Sequence, residues 1–427
     1  MHDKALLPAP MVPKLVTMLS EGYGLQDLRR DALAGLTVAI VALPLSMAIA
    51  VACGVGPDRG LFSAIVGGFL VSVMGGSRFQ IGGPAGAFIV LVSATVAKFG
   101  IEGLLLTVFM SGILLAIAGF LRLGDLIRRI PHAVTVGFTA GIAVVILASQ
   151  LKDLFGLHLT GPEPGHIIPK LMALAGAFGT FSLASFALAA AVAASIFAFR
   201  RFLPSWPGML IAVAVASLAA WGLGLPVETI ASRFGGVPRM LPSPHLPVLD
   251  ATMAMSLVPA VLSFTLLGSI ESLLSAVVAD RMTERRHRPN MELVAQGFAN
   301  IGSALFGGLP VTGTIARTAT NVRAGARSPV SGILHSLFLL AFMLMAAPLM
   351  GFIPVSALAG ILVVVAWNMI EKREFAQMFR TWRTALILTA TFGLTVAFDL
   401  TMGILSGCGL ALLFWGWDRL RGRRAGV

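Results

Sequence analysis

The chain has 427 residues, of which 57% are hydrophobic and only 12% charged, with a mean hydropathy of +0.91. A soluble protein carries roughly 25% charged residues to cover its surface, and 19 acids with 31 Lys and Arg cannot coat a globule of 44.6 kDa, so the surface must face lipid. The same hydropathy excludes disorder, and the two cysteines, Cys53 and Cys408, lie in apolar runs and exclude a disulfide framework.

The net charge of +12 does not indicate nucleic-acid binding, because the basic residues fall in short clusters between apolar segments, as at Arg128-Arg129, Arg200-Arg201, Arg285-Arg286 and Arg423-Arg424. Residues through about Leu28 are moderately polar and lack the basic start and apolar run of a signal peptide. A spanning helix needs roughly 20 apolar residues. The chain offers about fourteen such segments: 32–54, 60–76, 83–98, 101–121, 131–151, 181–200, 206–224, 254–279, 290–306, 312–325, 329–349, 353–370, 383–398 and 400–418. With the N-terminus inside, the basic loops Arg122–Arg129, Arg200-Arg201, Arg281–Arg288, Arg323–Arg327, Lys372–Arg383 and Arg419–Arg424 all face the cytoplasm. The opposite loops carry Asp58, Glu102, Asp153, Glu163, Glu228 and Asp250 with far fewer cations. Both termini are then expected in the cytoplasm.

The third and tenth segments are short, and each follows a Gly-rich, Pro-containing break: Gly75-Gly76-Ser77-Arg78-Phe79-Gln80-Ile81-Gly82-Gly83-Pro84 and Gly307-Gly308-Leu309-Pro310-Val311-Thr312-Gly313. Non-helical backbone at membrane depth must be buried in protein or line a cavity. Interrupted segments at matching places in two halves point to a transporter's binding site. Pro44 and Pro259 match in the first and eighth segments, so the chain reads as two halves of seven segments entering from opposite sides, an inverted repeat. The alternative is that Gly and Pro are simply common in membrane helices.

If the third and tenth segments are half-helices, their first N–H groups are unpaired and carry partial positive charge. Two such ends facing one another make an anion site, lined by Ala85, Gly86, Ala87 and Phe88 on one side and Gly313, Thr314, Ile315, Ala316 and Arg317 on the other. Thr312 and Thr314 can add hydroxyl donors. Arg317 adds a full charge and bidentate geometry for carboxylate or sulfate, unless it snorkels to the cytoplasm or pairs with an acid. Glu271 lies deep in the eighth segment, where a carboxylate is a functional candidate by default and a possible proton carrier; the alternative is a fixed pair with Arg317. Asp280 reads as a helix-end acid. Of the histidines, His2, His158, His166, His245 and His287 lie in loops or the tail, and His132 and His335 near helix starts lack ligand-spaced partners. HExxH, GxSxG and the Walker A lysine are missing, so no metal site, cofactor or enzyme activity is expected.

The stretch Gly35–Pro84 resembles the sulfate permease family of anion transporters. So do Glu271-Ser272-Leu273-Leu274 through Asp280, Gln296-Gly297 to Gly308, and Ile315-Ala316-Arg317-Thr318-Ala319-Thr320-Asn321-Val322-Arg323-Ala324-Gly325-Ala326. The likeness covers about residues 25–418, and Ile315–Ala326 with Ala366-Trp367-Asn368-Met369 lean toward the bacterial C4-dicarboxylate branch. It implies an all-α fold of seven plus seven inverted segments, with a core (about 32–121 and 254–349) moving against a gate (about 125–224 and 353–418). By position it places the substrate among Leu45, Ile49, Ala85, Ala316 and Arg317, with Glu271 close by. Many relatives have Gln at the Leu45 position and Ser at the Ala316 position, which leaves the substrate open. Bicarbonate members with Asp at the Glu271 position hold sodium; Glu leans toward protons. Most relatives continue into a cytoplasmic STAS domain, whereas this chain stops at Val427, so a single transmembrane domain is expected.

The expectation is therefore secondary active transport of a small oxyanion (sulfate-type, bicarbonate, or a C4-dicarboxylate such as succinate or fumarate) across a bacterial inner membrane, by proton symport. A passive channel or a sodium-coupled bicarbonate carrier of the same fold is the alternative. A nucleobase permease of this architecture should lack the Arg317 motif. Expected partners are the anionic substrate, membrane lipid and a second copy in a homodimer, with no nucleic acid.

Overall fold

The computed structural model describes residues 11–127, 131–161, 163–164, 167–204, 206–398 and 400–420. Arg128-Arg129, His2, His166 and Arg423-Arg424 lie outside the described residues. In chain order the elements begin with α1 (Lys14–Glu21), α2 (Leu25–Ala52), α3 (Pro57–Phe62), α4 (Gly68–Met74), β1 (Gly82–Pro84), α5 (Ile89–Phe120) and α6 (Gly124–Ile127). There follow α7 (His132–Phe155), α8 (Ile167–Gly176), α9 (Leu183–Phe202), α10 (Gly208–Gly222), α11 (Ile230–Phe234) and α12 (Ala251–Thr283). The remainder are α13 (Pro289–Leu305), β2 (Val311–Gly313), α14 (Ile315–Arg323), α15 (Val330–Met350), α16 (Val355–Met369), α17 (Lys372–Gln377), α18 (Trp382–Ala397) and α19 (Leu400–Leu420).

A helix stands at each of the fourteen expected segments, and among the described residues eight helices are long and apolar enough to cross a membrane. Local chemistry sets several boundaries. Asp27 accepts the Gly24 N–H at 3.3 Å at the start of α2, and Asp250 accepts the Thr252 N–H at 2.8 Å at the start of α12. Pro44 and Pro259 sit inside α2 and α12, where each removes one backbone hydrogen bond. A π-helical turn at Ser63–Gly67 joins α3 to α4 into one run. Gly100, at φ 68° and ψ −170°, interrupts α5 between the stretches expected as separate segments 83–98 and 101–121.

The structure differs from the sequence reading in two respects. The short α8, a helix of 10 residues, falls in a stretch read as a loop; its apolar run is too short to signal a span. The Gly-rich breaks, expected as irregular backbone, form β1 and β2, which pair with each other as a two-stranded antiparallel sheet. Each strand thus satisfies the other's backbone at a depth where water cannot.

The chain divides into two compact units, Met1–Arg128 with Phe234–Gly351 and Arg129–Arg233 with Phe352–Val427. In the first, α5 and α13 approach backbone to backbone. A Cβ at Gly112 would stand 2.8 Å from the Gly297 carbonyl, so only glycine permits this spacing. The second unit packs α16 on α7 and α9, and α18 on α7 and α19. There Arg233 bridges Asp153, at 2.8 Å, and Glu228.

Candidate functional site

The two breaks meet inside the first unit. Gly82 pairs with Gly313, Gly83 with Thr312 and Pro84 with Val311. Side chains from three helices hold this crossing in register. On α13, Asn300 donates to the Val311 carbonyl at 2.8 Å and accepts the Val311 N–H at 2.9 Å, standing in for a third strand. On α12, the Ser272 hydroxyl accepts the Gly313 N–H at 3.2 Å, and Ser275 donates to Thr318 at 3.0 Å. Thr318, on α14, in turn accepts the Ile81 N–H at 3.2 Å, while the Thr314 N–H donates to the Ile81 carbonyl at 3.1 Å.

Two buried carboxylates clamp the outer ends of the broken segments. Glu292 accepts the N–H groups of Gly76 and Ser77 at 2.8 and 3.0 Å, with Gln296 donating to it at 3.0 Å. Asp31 accepts the N–H groups of Arg327 and Ser328 at 2.6 and 3.2 Å, and the Tyr23 hydroxyl at 2.9 Å. Both acids are fully buried and saturated with donors.

Arg317 is different. It is 1% exposed and among the largest fully buried side chains. Its Nη2 donates to the Ser46 hydroxyl at 3.1 Å and to the Pro84 carbonyl at 3.3 Å. Its Nε and Nη1 have no partner, and no acid among the described residues stands within ion-pair distance of it. The guanidinium lies against β1 so closely that a Cβ on Gly83 would overlap Nη1. Helix α14 starts at Ile315 without a side-chain cap from Thr314, leaving the first-turn N–H groups to add to the same positive field. A buried cation with free donors at an uncapped helix start is an environment that draws an anion.

Glu271, on α12, lies beside β2. The Thr312 hydroxyl points at its Oε2 from 3.5 Å, a marginal hydrogen bond, and donates also to the Gly313 carbonyl at 3.0 Å. The alternative of a fixed Glu271–Arg317 pair is not what the structure contains.

Of the other residues singled out from the sequence, Leu45 and Ile49 are buried on α2 within one turn of Ser46. Ala85 and Phe88 are buried where β1 runs into α5, and Phe88 packs edge-on against Phe264 of α12 at 5.4 Å. Gly86 and Thr314 are half-buried and Ala316 is exposed, whereas Gly313 is buried. Several residues at the crossing were not singled out: Ser46, Ser272, Ser275, Thr318, Asn300 and Gln80. The Gln80 amide is 4% exposed, with neither oxygen nor nitrogen partnered, and packs where a Gly313 Cβ would be. The spacing of Ser272 and Ser275 on one face of α12 was the available signal.

Residues 28–391 match the sulfate permease family. The chain belongs to that family. It is 41% identical over 399 residues to the putative sulfate transporter YvdB of Bacillus subtilis, covering 92% of this chain and 75% of the relative. It is 32% identical to the bicarbonate transporter BicA of Picosynechococcus, over 89% of this chain and 68% of the relative. Among solved structures, the transmembrane domain of a cyanobacterial BicA superposes with a TM-score of 0.80 at 31% identity, covering 89% of this chain and 98% of that one. SLC26A9 shares the fold, with a TM-score of 0.85 at 19% identity over 93% of this chain and 67% of that one. A multi-pass sulfate permease family transporter explains why α2, α12 and α14 spend polar and charged side chains inside an apolar unit. It is a transporter, not an enzyme.

Proposed function

We propose that this chain is a secondary active transporter of a small inorganic oxyanion, sulfate or bicarbonate, across a bacterial inner membrane, with both termini in the cytoplasm. The observation that carries the reading is Arg317, buried without an acid and with two nitrogens unpartnered at the β1–β2 crossing. The names of the relatives, sulfate and bicarbonate transporters, support the substrate class. The first unit acts as the substrate-bearing core and the second as the gate. The anion sits against Ala85, Gly86 and Phe88 on one side and Gly313, Thr314, Ala316 and Arg317 on the other, with Leu45 and Ile49 as the α2 wall.

A C4-dicarboxylate spreads its two charges over a carbon chain and calls for a second cation. Around the crossing the described residues offer the Arg317 guanidinium, and a single cation suits a compact anion better. Glu271 carries the coupling proton: an acid that loads a proton together with the anion keeps the charge of the moving core nearly constant.

Proteoliposome uptake of radiolabelled sulfate, bicarbonate, succinate and fumarate, with and without an inward proton gradient, tests this reading. Gradient-driven accumulation of sulfate or bicarbonate supports it. Accumulation of succinate or fumarate alone, or equilibration without accumulation, overturns the substrate class or the coupling respectively.

A further inference from the structure

Away from the crossing, the first unit holds an open cavity of about 560 Å³, within the range of ligand pockets. Its wall brings together three guanidiniums from three separate elements: Arg30 of α2, Arg285 after α12, and Arg327 in the turn after α14. Among the described residues, no carboxylate lines it. Of the acids near it, Glu21 pairs with Arg78 at 2.5 Å, Asp31 accepts the Arg327 and Ser328 backbone, and Asp280 meets His287 at 2.6 Å, while Glu284 stands in the chain between Thr283 and Arg285 of the wall. None of the three arginine side chains has a hydrogen-bond or ion-pair partner among the described residues. Three like charges in one concavity repel one another, and among the described residues only Glu21 and Glu284, both beside Arg285, offset them in part.

Apart from Thr283, the rest of the wall carries no polar side chain. Phe79 and Ala326 belong to a packed cluster with Ala34 and Ala279, against which Val322 and Ala324 rest. On the adjoining face of α2, Leu25 and Leu33 are 82% and 58% exposed, as befits a surface turned to acyl chains. A cationic recess beside an exposed apolar helix face has the chemistry of an acidic phospholipid: phosphate in the recess, chains along the helix.

We propose that this cavity is a binding site for a phosphate group, occupied by the headgroup of an acidic phospholipid and held by Arg30, Arg285 and Arg327. The site is independent of the identity of the transported anion. Its occupant ties together the ends of α2, α12 and α14, and α14 carries Arg317 less than two turns before Val322 of the cavity wall.

The test is lipid retention by the purified full chain in detergent, read by native mass spectrometry after titration with phosphatidylglycerol or phosphatidylcholine. Wild type should retain phosphatidylglycerol in preference. Arg30→Gln, Arg285→Gln and Arg327→Gln should each weaken that retention about fivefold, and the triple variant roughly a hundredfold. Arg201→Gln, exposed on α9, controls for general surface charge, and an unchanged melting temperature confirms that the triple variant is folded. Equal retention by the folded triple variant, or an equal loss in Arg201→Gln, overturns the site. Displacement of the lipid by millimolar inorganic phosphate overturns the lipid as its occupant.

Discussion

Replacing Arg317 by Met separates a binding role from a structural one, because the structure opposes the two effects. The substitution keeps most of the aliphatic stem and removes the guanidinium. Its two hydrogen bonds, to Ser46 and to the Pro84 carbonyl, are lost. Ser46 still donates to the Ala42 carbonyl at 2.7 Å, whereas the Pro84 carbonyl loses its donor, because the Val311 N–H opposite it is held by Asn300, at a cost of about 1–3 kcal/mol. Against that loss stands the removal of a buried charge with no counter-ion, whose desolvation costs several kcal/mol. The melting temperature in detergent should therefore hold or rise. Binding should move the other way. A charge-assisted hydrogen bond to the anion contributes about 1.5–3 kcal/mol, so the affinity for sulfate or bicarbonate should fall roughly ten- to a hundredfold. Scintillation-proximity binding with radiolabelled sulfate on purified protein, alongside thermal unfolding, reads both quantities. A variant that melts several degrees lower and binds as wild type would refute the assignment and make Arg317 a structural strut.

Gly313→Ala places a methyl group on the buried Gln80 amide; uptake should fall more than tenfold, and normal transport would show that the crossing tolerates separation. Glu292→Ala leaves the Gly76 and Ser77 N–H groups without their acceptor, which should cost about 2–5 kcal/mol. It should lower the melting temperature, with Glu292→Gln intermediate, and equal melting of all three proteins would remove the clamp. Glu271→Gln should keep anion-for-anion exchange in vesicles but lose accumulation driven by a pH gradient alone; retained accumulation would exclude Glu271 as the coupling group.

The helices were legible because each apolar run is long and ends in charge or in a Gly/Pro signal. The Gly100 interruption fell between two expected segments for that reason. The two breaks were legible as interruptions, but not as a sheet. Their register depends on Asn300, Ser272 and Thr318, side chains brought in from other helices, and a three-residue strand has no periodicity to read. Gln80 stood within a quoted motif without a role, since nothing in sequence says that it packs against Gly313. Ser46 was passed over because a serine in a membrane helix usually bonds its own i−4 carbonyl. It does so here, and it accepts from Arg317 as well.

Burial alone does not sort the charged residues of the first unit, since Asp31, Glu292 and Arg317 are all inaccessible. Saturation does. The two carboxylates each accept successive backbone N–H groups, one where the first break begins and one just beyond α14. Each of these charges is paid for by the fold itself. Arg317 keeps unpartnered nitrogens and Glu271 meets only a distant hydroxyl; under the proposed function an anion offsets the desolvation of the first and a proton that of the second. The clamps hold the start of the first break and the turn after α14, while the unsatisfied charges border the strands themselves. The two classes should therefore respond differently to substitution. Changes at Asp31 or Glu292 should appear first as lost stability, whereas changes at Arg317 or Glu271 should appear first as altered affinity or coupling in a protein that still folds.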